Sequence, residues 1–168
     1  MALIVEDGTG LVDAESYISV TEADLYHANR GNASWSLLST TEKEIALRKA
    51  TEYLDATYCW KGDIASLSQA LNFPRENICD NQGRELDNII PVQLKNTTAQ
   101  VGLIAIDSEL VPNTTRSDHV KREKVGELEI EYKDGAPTTT QYNYVNRLLD
   151  GLFSSKKGES SVVKLTRS

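Results

Sequence analysis

Two capping boxes fix where this chain must start helices. In Ser19-Val20-Thr21-Glu22 the serine can accept from a first-turn amide while the glutamate reaches back to the serine amide, and Ser39-Thr40-Thr41-Glu42 repeats the pattern. The first box predicts a short helix over about 20–29, stopped at Arg30-Gly31, where glycine tolerates a left-handed C-terminal residue. The second opens a longer helix over about 40–58. Its Leu47, Ala50, Leu54 and Tyr58 recur at helical spacing and mark one buried face. Pro91 suits the first position of a third helix running to about 110, and Val101-Gly102-Leu103-Ile104-Ala105-Ile106 within it is apolar almost all round. Ser66 to Leu71 reads as a further helical turn or two before Phe73-Pro74 breaks it, and 76–88 as a polar exposed loop.

After Val111 the pattern changes. Residues 113–119 are small and polar, and Glu127-Leu128-Glu129-Ile130-Glu131-Tyr132 alternates acidic and apolar side chains with the period of a half-buried strand. A lone strand cannot satisfy its backbone, so this one must pair with another element or another chain. A short helix over about 142–153 and a terminal strand over about 161–165 complete the reading. The expected fold class is therefore mainly α: a small bundle of about four helices over 17–111, after an extended leader at 1–16, with a C-terminal docking tail over 112–168.

With 168 residues the chain can bury a core without disulfide or metal staples. No stretch reaches the ~20 apolar residues of a membrane span, and no basic, apolar leader opens the chain, which argues against a secreted or membrane protein. Cys59 and Cys79 have no CxxC or zinc-ligand spacing and read as reduced thiols. Residues 1–111 carry 8 basic and 17 acidic side chains, a net of −9, while 112–168 carry 10 and 8, a net of +2. An acidic body of this kind suits a surface that DNA slides past rather than one that grips phosphates.

Catalytic constellations are missing. His27 and His119 stand apart from any second ligand and read as surface histidines. Asp7-Gly8-Thr9-Gly10 lacks the Lys-Ser/Thr of a phosphate loop and reads as a flexible turn. Asp80-Asn81-Gln82-Gly83 places its glycine too early for an EF-hand. Tyr53, Tyr58, Trp60 and Lys61 offer rings beside a cation, as single-stranded nucleic acid needs, yet Glu52, Asp55 and Asp63 lie among them and core packing is the preferred reading. Neither an enzyme activity nor a cofactor or metal is expected.

Three stretches taken in order carry a resemblance: Met1 to Tyr17; Ala50 to Asp55 continued by Gln69 to Arg75; and Val120 to Gly126. They resemble small tailed-phage proteins often labelled DnaT-like single-stranded-DNA-binding proteins. The middle stretch, with Ile90-Pro91, is also similar to the head–tail connector (adaptor) proteins of tailed phages. That second resemblance implies a virion protein at the head–tail neck, a ring of twelve subunits that binds the portal and tail or nozzle proteins and lets genomic DNA pass without tight binding. It further implies docking through the tail, by Lys121, Arg122, Lys124, Leu128, Ile130 and Tyr132. A structural adaptor is the leading expectation, and a non-catalytic single-stranded-DNA-binding replication accessory the alternative.

Overall fold

The structure, a computed structural model, describes residues 2–111 and 142–157, together with the backbone of Arg122–Val125 and Leu128–Glu131. Helices α1 (Val20–Ala28) and α3 (Thr40–Thr57) begin at the two capping boxes, with both reciprocal bonds formed in each. Between them lies α2 (Ala33–Ser36), a single turn too short to leave a periodic signal. Helix α4 (Val92–Asp107) follows Pro91 and packs along α3. The two approach closely because Gly102 meets Leu47 and Trp35, where even a Cβ would stand 3.3 Å from the leucine side chain. Leu47, Ala50, Leu54 and Tyr58 form the buried face that their spacing predicts.

The fold is mixed α/β, which corrects the expectation of a mainly helical bundle. Besides α1 to α4 and α5 (Asn143–Leu148), the described residues form three antiparallel strand pairs. Strand β1 (Tyr58–Trp60) pairs with β6 (Phe153–Lys156), and β2 (Asp63–Ile64) with β3 (Arg75–Glu76). Strand β4 (Arg122–Val125) pairs with β5 (Leu128–Glu131). Strands of two to four residues are too short to display an alternation that a reader of the sequence could detect, and β1 continues directly from α3.

Two further expectations change. Ser66–Leu71 is not helical: Gln69 folds in, its Oε1 accepting from Ser66 N and its Nε2 donating to Leu71 and Pro74 carbonyls. The polar stretch 76–88 is the largely exposed loop expected, pinned to the body by buried Ile78 and Leu86. The region from 142 is not a free docking tail, because Val145, Leu149 and Leu152 are fully buried against Tyr53, Leu54 and Leu94 in the main core. Its helix is shorter than expected, ends in a turn at Gly151, and leads into β6. The linker at 113–119 and the terminal strand at 161–165 lie outside the described residues.

Candidate nucleic-acid interface

The aromatic residues around Lys61 are core. Tyr53, Tyr58 and Trp60 are 9%, 1% and 8% exposed. Trp60 meets Phe73 edge-on at 5.2 Å between ring centroids, and Tyr58 meets Phe153 at 4.9 Å. The Tyr58 hydroxyl donates to Asn146 Oδ1 at 2.6 Å, and the Trp60 indole donates to Asp55 Oδ1 at 3.3 Å. These rings offer no open face to a base, in agreement with the core reading.

Asp55 is the hub beneath them. Its Oδ1 also accepts from the Tyr17 hydroxyl at 2.6 Å, and its Oδ2 from Asn72 N at 3.0 Å. Burial pushes the Asp55 carboxyl above its ordinary range despite these donors, and burial beside that carboxylate pushes the Tyr17 phenol up too. Arg75 spends its guanidinium on the carbonyls of Lys61, Gly62 and Asn72, at 2.6, 2.7 and 3.1 Å. The fork that would clamp a phosphate therefore holds a loop together instead. Gly62 is required there, since its φ is +71° and a Cβ would collide with the Glu76 carbonyl oxygen.

Two sequence readings fail for related reasons. The Asp7–Gly10 turn is not loose: Glu6, buried, accepts through Oε1 from the amides of Gly8 and Gly10 and through Oε2 from Leu11 N. The nest of amides that could have cradled an anion already holds this carboxylate. His27 is buried rather than on the surface, stacked on Trp35 with centroids 4.4 Å apart. Its Nε2 donates to the Ala99 carbonyl and its Nδ1 accepts from Asn32 Nδ2, so neither nitrogen is left for a metal or a proton relay. Burial lowers its pKa and keeps it neutral. The cleft beside it, about 410 Å³, has its polar groups committed to one another: Asp24 pairs with Lys43 and accepts from the Trp35 indole. No cluster of three metal-ligating side chains occurs among the described residues.

What the fold does assemble is a basic ribbon. Residues 58–61 and 153–157 hold Lys61, Lys156 and Lys157 and no acidic side chain. The β1–β6 register sets Lys156 opposite Tyr58, with Lys61 and Lys157 bonded at the two ends through Leu152 O and Thr57 O. Ser154, Ser155 and Lys157 are exposed, Lys61 and Lys156 half-buried, and among the described residues none of the three lysines belongs to an ion pair, although Lys157 Nζ donates to the Asp55 carbonyl at 2.7 Å and must leave it to meet a phosphate. Lys61 was within reach of sequence reasoning. Lys156 and Lys157 were not, because the strand that recruits them pairs with a partner far upstream.

The residues expected to dock a partner are distributed differently. Lys121 and Tyr132 lie outside the described residues. Arg122 and Lys124 are in β4, where the register sets them opposite Glu131 and Glu129. Leu128 and Ile130 in β5 stand opposite Val125 and Glu123. The strand that had to pair with another element or another chain pairs with β4, in the basic stretch that ends two residues before it.

A family model described as "Putative DnaT-like ssDNA binding protein" matches residues 1–168, and the chain belongs to that family. No curated protein and no solved structure matches it. The head–tail connector resemblance is thereby corrected, since the family that spans the chain is the DnaT-like one, and the structural adaptor function that rested on the connector resemblance falls with it. Among the described residues no helix is long and apolar enough to cross a membrane.

Proposed function

We propose that this member of the DnaT-like family is a non-catalytic single-stranded-DNA-binding protein that meets the phosphates of its strand along the β1–β6 ribbon. The observation that carries the reading is the family match over residues 1–168. The ribbon supports it: it concentrates Lys61, Lys156 and Lys157 on, and one residue beyond, two adjacent strands of an otherwise acidic body. The non-catalytic part is supported by His27 and Asp55, the described groups best placed by burial for proton transfer, both of which are held in structural hydrogen bonds.

Three lysines against a net −9 over residues 1–111 give a weak, salt-sensitive complex. Anisotropy of a labelled oligo-dT should show micromolar binding at low salt. The logarithmic salt slope should be about −2, from ~0.7 per neutralised phosphate. Lys61→Glu with Lys156→Glu should flatten that slope and weaken binding. Absence of binding at low salt and tens of micromolar protein would overturn the function.

A further inference from the structure

Lysines on a ribbon read charge and do not tell a single strand from a duplex. A feature elsewhere on the molecule can. Arg30, just past the end of α1, folds back over the ring of Tyr26, placing its guanidinium carbon 3.7 Å from the ring centroid. Its Nη1 also donates to the Tyr26 carbonyl at 3.2 Å. The i, i+4 spacing permits this return, and it fixes a side chain that would otherwise be free. Tyr26 is buried beneath while Arg30 is exposed, so one face of the guanidinium is used and the other meets water.

From α5, Tyr144 brings its hydroxyl beside that of Tyr26, yet the residue is 56% exposed. Arg147 follows three residues later on the same helix, also exposed. Among the described residues neither arginine is in an ion pair, and the carboxylates of α1 are occupied: Glu22 by Lys95, Asp24 by Lys43. The patch thus combines a pre-stacked guanidinium, an open tyrosine ring and an unpaired cation.

We propose that Arg30 and Tyr144 form a stacking site for unpaired nucleobases, with Arg147 meeting the adjoining phosphate. This rests on the single-stranded-DNA reading and adds its selectivity. A base stacks on the open guanidinium face or on an aromatic ring whatever its identity, and the guanidinium is ordered before the base arrives. In a duplex those base faces are covered by neighbouring pairs.

The test compares three probes with equal phosphate count on the full chain: oligo-dT, the same strand with abasic sites, and a duplex. Wild type should prefer oligo-dT over the abasic strand by about 5- to 150-fold, the range of one stacked base. Tyr144→Ala should shrink that preference toward unity. Arg30→Lys, which keeps the charge and loses the plane, should do the same, with circular dichroism showing both variants folded. Retention of the full preference in both variants, or equal wild-type affinity for the dT and abasic strands, would overturn the stacking site and leave phosphate binding standing. Failure of wild type to bind any probe would overturn the function itself, and the stacking site with it.

Discussion

Around β1, Trp60 packs against Tyr58 and Phe73 beside Lys61, in the core that also buries Tyr53, whereas where Tyr144 of α5 comes beside Tyr26 of α1 the exposed Arg30 lies over Tyr26 and Tyr144 is more than half exposed. Both regions place aromatic rings next to cations, the composition expected of a single-strand binder. They differ in what covers them. Residues 142–157 return to the body and close over the first set with Val145, Leu149, Leu152 and Phe153. The same segment leaves Tyr144 on its outer side. A ring beside a cation is therefore a binding element here only where the returning segment leaves it uncovered.

The largest effect should come from emptying the covered region. Trp60→Ala or Tyr58→Ala removes a buried ring and leaves a half-buried partner, Asp55 or Asn146, short of a donor. Each should cost about 3–5 kcal/mol in urea unfolding. A loss below about 1 kcal/mol would mean that the rings are accessible after all, and the contrast would break.

How much of this the sequence discloses follows from the range of each interaction. Ser19 and Ser39 reveal α1 and α3 because a capping box is closed by residues three apart. Leu47 to Tyr58 reveal the α3 face because one helix carries the whole period. Glu6 gives no such sign: nothing in Glu6-Asp7-Gly8 says that its carboxylate turns back to satisfy three amides. The β1–β6 ribbon and the approach of Tyr144 to Tyr26 depend on residues far apart in the chain, each with a short local pattern of its own. Lys61 could be nominated as part of an interface, while Arg30, Tyr144 and Lys156 could not.

His27 tests burial on a smaller scale. Its ring is stacked and doubly hydrogen-bonded, so His27→Ala should cost about 2–3 kcal/mol. Burial depresses its pKa in the folded state, while the unfolded chain takes up a proton near the ordinary 6.5. The unfolded state therefore binds more protons below pH 6.5, and wild type should lose stability as pH falls through that point toward the depressed value. His27→Gln, which keeps a donor and an acceptor, should remove this dependence. Identical pH profiles for the two proteins would place His27 in water.

Asp55 carries the opposite sign. Burial raises its pKa in the folded state, so the folded protein holds the proton more tightly than the unfolded one above the ordinary 3.8. Asp55→Asn should be less stable at neutral pH, because an amide presents one acceptor where the carboxylate serves Tyr17, Trp60 and Asn72. The advantage of wild type over this variant should widen as pH is lowered from neutral through the raised pKa toward 3.8. An advantage that narrowed over that window would show a carboxylate stabilised by its donors more than it is penalised by burial.

The smallest effects belong to the uncovered region, and their smallness is informative. Tyr144 buries less than half of its surface, and Arg30 spans a ring that is packed from below whether or not a guanidinium lies above it. A cation–π contact at such an exposed site contributes only about 0.5–1 kcal/mol, and a lysine retains part of it. Tyr144→Ala and Arg30→Lys should therefore each shift unfolding by no more than about 0.5 kcal/mol. Measured beside Trp60→Ala, this gives opposite signatures: the covered ring loses stability, and the open ring loses the preference for unpaired bases with its melting temperature nearly unchanged. If Tyr144→Ala unfolded the protein as readily as Trp60→Ala, Tyr144 would be a core residue at the rim of α5. Its place in a binding surface would then be lost.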